Sequence, residues 1–126
     1  MKYADLTHRI IGCAMEVHNY LGNGFQEVIY QRSLALELET QGISFAREVE
    51  IPIFYKGAHV GTRRVDFLIE GIISTELKAV ILMDDVHLSQ GLNYLEAFNM
   101  ETDLLINFGA IRLEYKRLFN KKYKPS

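Results

Sequence analysis

Cysteine is nearly absent: Cys13 is the only one in 126 residues, so no internal disulfide can form. It falls on the apolar stripe of the first expected helix and reads as a small core residue rather than a catalytic thiol. Positive charge is not in excess either, since 14 Lys and Arg stand against 16 Asp and Glu for a formal net charge of -2. That balance excludes the global basic field that dominates non-specific nucleic-acid binding, and any such partner must be held locally. Two local concentrations exist, Arg63 with Arg64 and the tail KRLFNKKYK from Lys116 to Lys124, the tail reading as a solvated terminus. No apolar run approaches the ~20 residues of a membrane span, and MKYADLTHRI lacks a basic-then-apolar signal pattern. No repeat or low-complexity segment interrupts the chain. The expectation is one domain over residues 1–126, in the cytoplasm.

Periodicity supplies the elements. Leu6, Ile10, Ala14, Val17 and Leu21 recur at helical spacing, with Gly22 and Gly24 as the stop. A second helix opens near Phe25 or Gln26 and runs to Gln41, with Tyr30, Leu34 and Leu38 inward and Glu27 on the same face as Tyr30. After Gly42 the period falls to two: Val49, Ile51 and Ile53 alternate, Lys56 to Ala58 turn the chain, and RRVDFLIEGIISTELKAV reads as a hairpin. Asp84 or Asp85 caps a third helix, with Leu88, Leu92 and Leu95 on one stripe and His87, Gln90 and Tyr94 on another. Strands from Asp103 and Ile111 follow. The fold class is α/β, a mixed central sheet flanked by helices.

The stretch ISTELKAV carries the chemistry. On a strand, Glu76 and Lys78 share one face and Ile73, Thr75, Leu77 and Ala79 the other. A two-residue turn at Glu70 and Gly71 would point Asp66 away from Glu76. A three-residue loop of Ile69, Glu70 and Gly71 instead pairs Leu68 with Ile72, Asp66 with Ser74 and Arg64 with Glu76. Asp66, Glu76 and Lys78 then share a face, while Val65, Phe67, Ile73, Leu77 and Ala79 gather on the apolar one, which favours this loop. Two carboxylates brought together repel unless a hard divalent cation holds both ionised, which points to Mg²⁺ with Mn²⁺ as substitute. A lysine beside that metal can position or help deprotonate an attacking water. Taken alone, E-x-K on a strand is more often the pattern of a solvated ion pair.

Asp66, a nine-residue spacer and E-L-K at Glu76 to Lys78 resemble the active-site signature of the PD-(D/E)XK nuclease superfamily. GFQEVIY, with Gly24, Glu27 and Tyr30, is similar to the motif of the GxxExxY protein family within that superfamily, and HLSQGLNYLEAF and LLINFG resemble its later blocks. The likeness implies a restriction-endonuclease-like core. It implies Asp66, Glu76 and the main-chain carbonyl of Leu77 as metal ligands, Lys78 as the catalytic lysine, and Glu27 as an additional acidic residue at the metal. Gln90 and Tyr94 match a Q-x-x-x-Y pattern that helps organise the site and the nucleic-acid strand. Val65 stands where the superfamily name has proline.

Tyr30 and Tyr94 read equally as packing residues with a partnered hydroxyl and as substrate contacts. His87 reads as structural. The leading functional reading is a Mg²⁺-dependent nuclease acting on DNA rather than RNA, in repair, recombination or defence, for which a homodimer would give access to both strands. The alternatives are a catalytically silent binding module for nucleic acid or protein and a purely structural ion-pair network in a self-associating domain.

Overall fold

Three helices and five strands follow one another in the expected order in the computed structural model, which describes residues 3–125 apart from the side chain of residue 98. Helix α1, Ala4–Leu21, buries Ile10, Ile11, Cys13, Ala14 and Val17. It stops at Gly22, whose φ of 78° suits glycine and whose N–H donates to the His18 carbonyl at 2.8 Å. Helix α2, Glu27–Thr40, opens just after the expected start and buries Tyr30, Leu34, Ala35 and Leu38.

Strands β1, Phe45–Tyr55, and β2, Ala58–Ile69, form an antiparallel hairpin. Lys56 and Gly57, with φ of 47° and 83°, are both left-handed, which gives the twist that tight hairpin turns require. Strand β3, Ile73–Lys78, pairs antiparallel with β2. Helix α3, Asp85–Phe98, then carries the chain to β4, Thr102–Asn107, which lies parallel to β3, and β5, Glu114–Phe119, closes the sheet antiparallel to β4. The strand order is β1-β2-β3-β4-β5.

The β2–β3 register differs from expectation by one step. The pairs are Ile69–Ile73, Leu68–Ser74 and Phe67–Thr75, so the loop is Glu70, Gly71 and Ile72 rather than Ile69 to Gly71. Ser44 supplies the reason. Its N–H and hydroxyl donate to the Glu70 carboxylate at 3.1 and 2.8 Å, and its carbonyl accepts the Glu70 N–H at 3.0 Å. These bonds hold Glu70 left-handed at φ 55°, beside Gly71 at φ 67°. A shift of two residues in the sum of paired positions keeps every side chain on its face. Asp66 therefore lies just beyond the last β2–β3 pair rather than opposite Ser74.

One core lies between the sheet and the α1–α2 pair, built from Phe67, Ile69, Ile73, Leu77, Leu104, Ile106 and Phe108 with the helix residues. Val65, expected on that same face, is buried outside this cluster. On the paired strand β1, Glu48, between the Arg47–Phe67 and Val49–Val65 pairs, is left-handed at φ 52°. The alternate residues of the strands meet α3 on the other face, where Leu95, Leu105 and Leu118 are buried. Leu92, expected on the buried stripe of α3 with Leu95, is instead exposed. No described helix is long and apolar enough to cross a membrane.

Candidate active site

The site forms where β2 and β3 stop pairing. Beyond Phe67–Thr75 the ladder ends, and the Asp66 carboxylate enters in place of a main-chain partner: Oδ2 accepts the Leu77 N–H at 2.7 Å. The other oxygen, Oδ1, accepts from the Gln31 side chain of α2 at 3.2 Å, and Gln31 in turn accepts from Arg47 at 2.6 Å. Leu77 is 2 % exposed, with its side chain in the α1–α2 core. Burying such a side chain is worth about 1.5–3 kcal/mol, which roots the strand between Glu76 and Lys78.

Glu76 sits one residue before, its side chain 8 % exposed, with Oε1 accepting from Arg63 Nη2 at 2.8 Å. Burial pushes its carboxyl above the usual range and the Asp66 charge adds to the rise, while Arg63 and Lys78 pull the other way. Arg63 also lies over the Tyr94 ring, 4.3 Å from its centroid. Lys78 is half-buried, and its main-chain carbonyl accepts the Phe108 N–H at 2.8 Å. Beside it in register, the fully buried Asn107 accepts from Val80 and Gly109 N–H and donates to the Val80 carbonyl and Glu114. All of its side-chain polar capacity is used, which fixes the chain leaving Lys78.

A third carboxylate completes the group. Asp103 on β4 pairs with Ser74, whose hydroxyl donates to Asp103 Oδ1 at 2.6 Å. Oδ2 is buried and has no hydrogen-bond partner among the described residues. Burial pushes this carboxyl up to about 8, with the Glu76 charge adding to it, so it is held protonated at neutral pH. Asp103 was not among the expected site residues. Its signal was an aspartate opening a strand whose every residue is buried, a place where an unbonded carboxylate is costly.

The remaining expected residues divide. Glu27 is exposed at the first turn of α2, one turn before Gln31 and thus on the side of the helix that reaches Asp66. Gln90 is exposed on α3, one turn before Tyr94. Tyr30 does not fit its substrate role: it has no exposed surface, stacks on Phe108 at 4.7 Å, donates its hydroxyl to the Gly22 carbonyl at 2.6 Å and accepts from Phe25 N–H at 3.1 Å. It braces the turn between α1 and α2. His87 is structural, closing a capping box with Asp84.

Among the described residues no three His, Cys, Asp or Glu side chains are grouped to hold a metal ion. The donor set on offer is two carboxylates that act on each other electrostatically, Asp66 and Glu76, with Asp66 bonded to the main chain of Leu77. It is all oxygen, and the mutual charge penalty between the carboxylates is one a hard divalent cation relieves. In donor chemistry the residues fit such an ion, with Arg63 holding one Glu76 oxygen.

A mixed sheet with an acidic pair and a lysine at the divergence of two strands defines a restriction-endonuclease-like domain. The PD-(D/E)XK nuclease superfamily profile matches residues 4–118, and the chain belongs to that superfamily. The solved structure of SSO0001 is similar in fold, with a TM-score of 0.57 and 22% identity over 73% of this chain. The chain spans 48% of the length of that protein. Comparison with curated proteins finds no match.

Proposed function

We propose that this domain is a Mg²⁺-dependent phosphodiesterase acting on nucleic acid, DNA rather than RNA, in the cytoplasm. The observation that carries the reading is the Asp66–Leu77 hydrogen bond, because it brings Asp66 beside Glu76 with Lys78 two residues on along the same strand face.

Asp66, Glu76 and the Leu77 carbonyl would hold the cation. Bound there, Mg²⁺ would lower the pKa of the attacking water and offset the charge developing on the phosphoryl oxygens. Lys78, whose strand is anchored by Leu77 and Asn107, orients that water through its ammonium group. Glu27 lies on the α2 face toward Asp66 and would hold water at the same ion. Gln90 and Tyr94, one turn apart on α3, would receive the strand being cut, with Tyr94 offering a ring face.

A second reading is favoured by one observation, the Arg63–Glu76 ion pair, which spends a ligand oxygen. It makes the domain a binding module without turnover. A calorimetric titration of metal-free protein with Mn²⁺, beside Asp66→Asn, separates the two. Saturable binding lost in the variant supports the nuclease centre; no binding by the wild type transfers the assignment to the binding module.

A further inference from the structure

Two arginines lie side by side on β2 and are treated differently. Arg64 is exposed and faces the exposed Glu48 and Glu50 at 3.8 and 3.7 Å, solvated pairs of small energetic weight. Arg63 is drawn inward: its side chain is 29 % exposed, one arm bonds the buried Glu76, and its guanidinium carbon lies over the Tyr94 ring. Yet its fork is only partly used, because Nε is buried without a hydrogen-bond partner among the described residues. A guanidinium held over an aromatic ring, with a donor unspent, suits a two-oxygen acceptor such as a phosphate.

Resting on the nuclease reading above, we propose that Arg63 is a partner-exchanging phosphate-binding residue. In the metal-free protein it neutralises Glu76. When a divalent cation takes that carboxylate, its charge competes with the guanidinium for the Glu76 oxygens, and the guanidinium pivots on the Tyr94 ring to a phosphate of the nucleic acid. The exchange couples metal loading to substrate capture at a single side chain. It also keeps a carboxylate 8 % exposed partnered and in place before the metal arrives.

The test is a Mn²⁺ titration of wild type, Arg63→Gln and Asp66→Asn at one fixed pH, each checked by thermal melting. Loss of a charge-assisted bond that competes with the metal makes Arg63→Gln bind Mn²⁺ roughly tenfold more tightly. In a Lys78→Ala background, to prevent turnover, Mn²⁺ strengthens binding of a DNA oligonucleotide, and Arg63→Gln loses most of that gain. Equal or weaker Mn²⁺ binding by Arg63→Gln, with wild type binding and Asp66→Asn not, overturns the exchange and leaves the carboxylate site standing. No binding in any of the three overturns the nuclease reading and the exchange with it. Wild-type protein gives a reading that needs no folded variant. The Arg63 Nε–Hε resonance shifts on Mg²⁺ saturation if the residue changes partner, and an unmoved resonance overturns the proposal.

Discussion

Asp66 Oδ2 accepts the main-chain N–H of Leu77 at 2.7 Å, so a side chain of β2 replaces the ladder bond that β3 has lost. The bond is structural as well as functional, and substitutions at Asp66 separate the two. Asp66→Asn keeps an acceptor for Leu77 and should melt close to wild type while losing divalent-metal binding. Asp66→Ala orphans a buried N–H and should cost about 1–3 kcal/mol more than Asp66→Asn in urea unfolding.

Asp103 makes stability fall with rising pH. Its folded pKa of about 8 lies above the 3.8 of an ordinary aspartate, so the folded protein holds a proton that the unfolded chain has lost. The stabilising contribution is fully present below pH 3.8 and disappears as pH rises through about 8. Asp103→Asn removes the titration while keeping the Ser74 hydrogen bond. In metal-free buffer, urea unfolding should show wild type losing about 1 kcal/mol per pH unit relative to Asp103→Asn across that window. A pH-independent difference would contradict a protonated Asp103.

Asn107 holds the segment after Lys78 through four hydrogen bonds, to Val80, Gly109 and Glu114. Asn107→Ala leaves buried partners unpaired and should destabilise by about 2–4 kcal/mol. Cleavage should fall further than metal affinity, because Lys78 loses its anchor while Asp66 and Glu76 do not.

Tyr30→Phe tests the reassignment of that tyrosine. Removing the hydroxyl strands the Gly22 carbonyl and Phe25 N–H and should cost about 1–2 kcal/mol, with metal and DNA affinities unchanged when measured well below the melting temperature.

The parts of the site that were legible in the sequence are those set by local period. Glu76 and Lys78 fall on one side of β3 because a strand has a period of two, and Asp66 is brought to them by its bond to the Leu77 N–H rather than by the ladder. The displaced β2–β3 register came from Ser44, 26 residues from Glu70 and invisible to any local pattern. Asp103 escaped for the same reason: its place beside Ser74 and Glu76 depends on a parallel pairing created by the α3 crossover. Arg63 showed only as a basic pair with Arg64, since its bond to Glu76, 13 residues on, and its place over the Tyr94 ring of α3 are tertiary contacts that no local pattern announces. Tyr30 stays open between packing and substrate contact in the sequence because an aromatic on an inner helix face looks the same whether its hydroxyl meets a substrate or a main-chain carbonyl.

The central claim is cleavage, and it is tested most directly by incubating the protein with labelled single-stranded, duplex and branched DNA in Mg²⁺ or EDTA, beside Lys78→Ala of matched thermal stability. The account predicts cleavage of at least one substrate that requires Mg²⁺ and falls by about 100-fold or more in Lys78→Ala. Undiminished cleavage by Lys78→Ala, or cleavage that persists in EDTA, would contradict it.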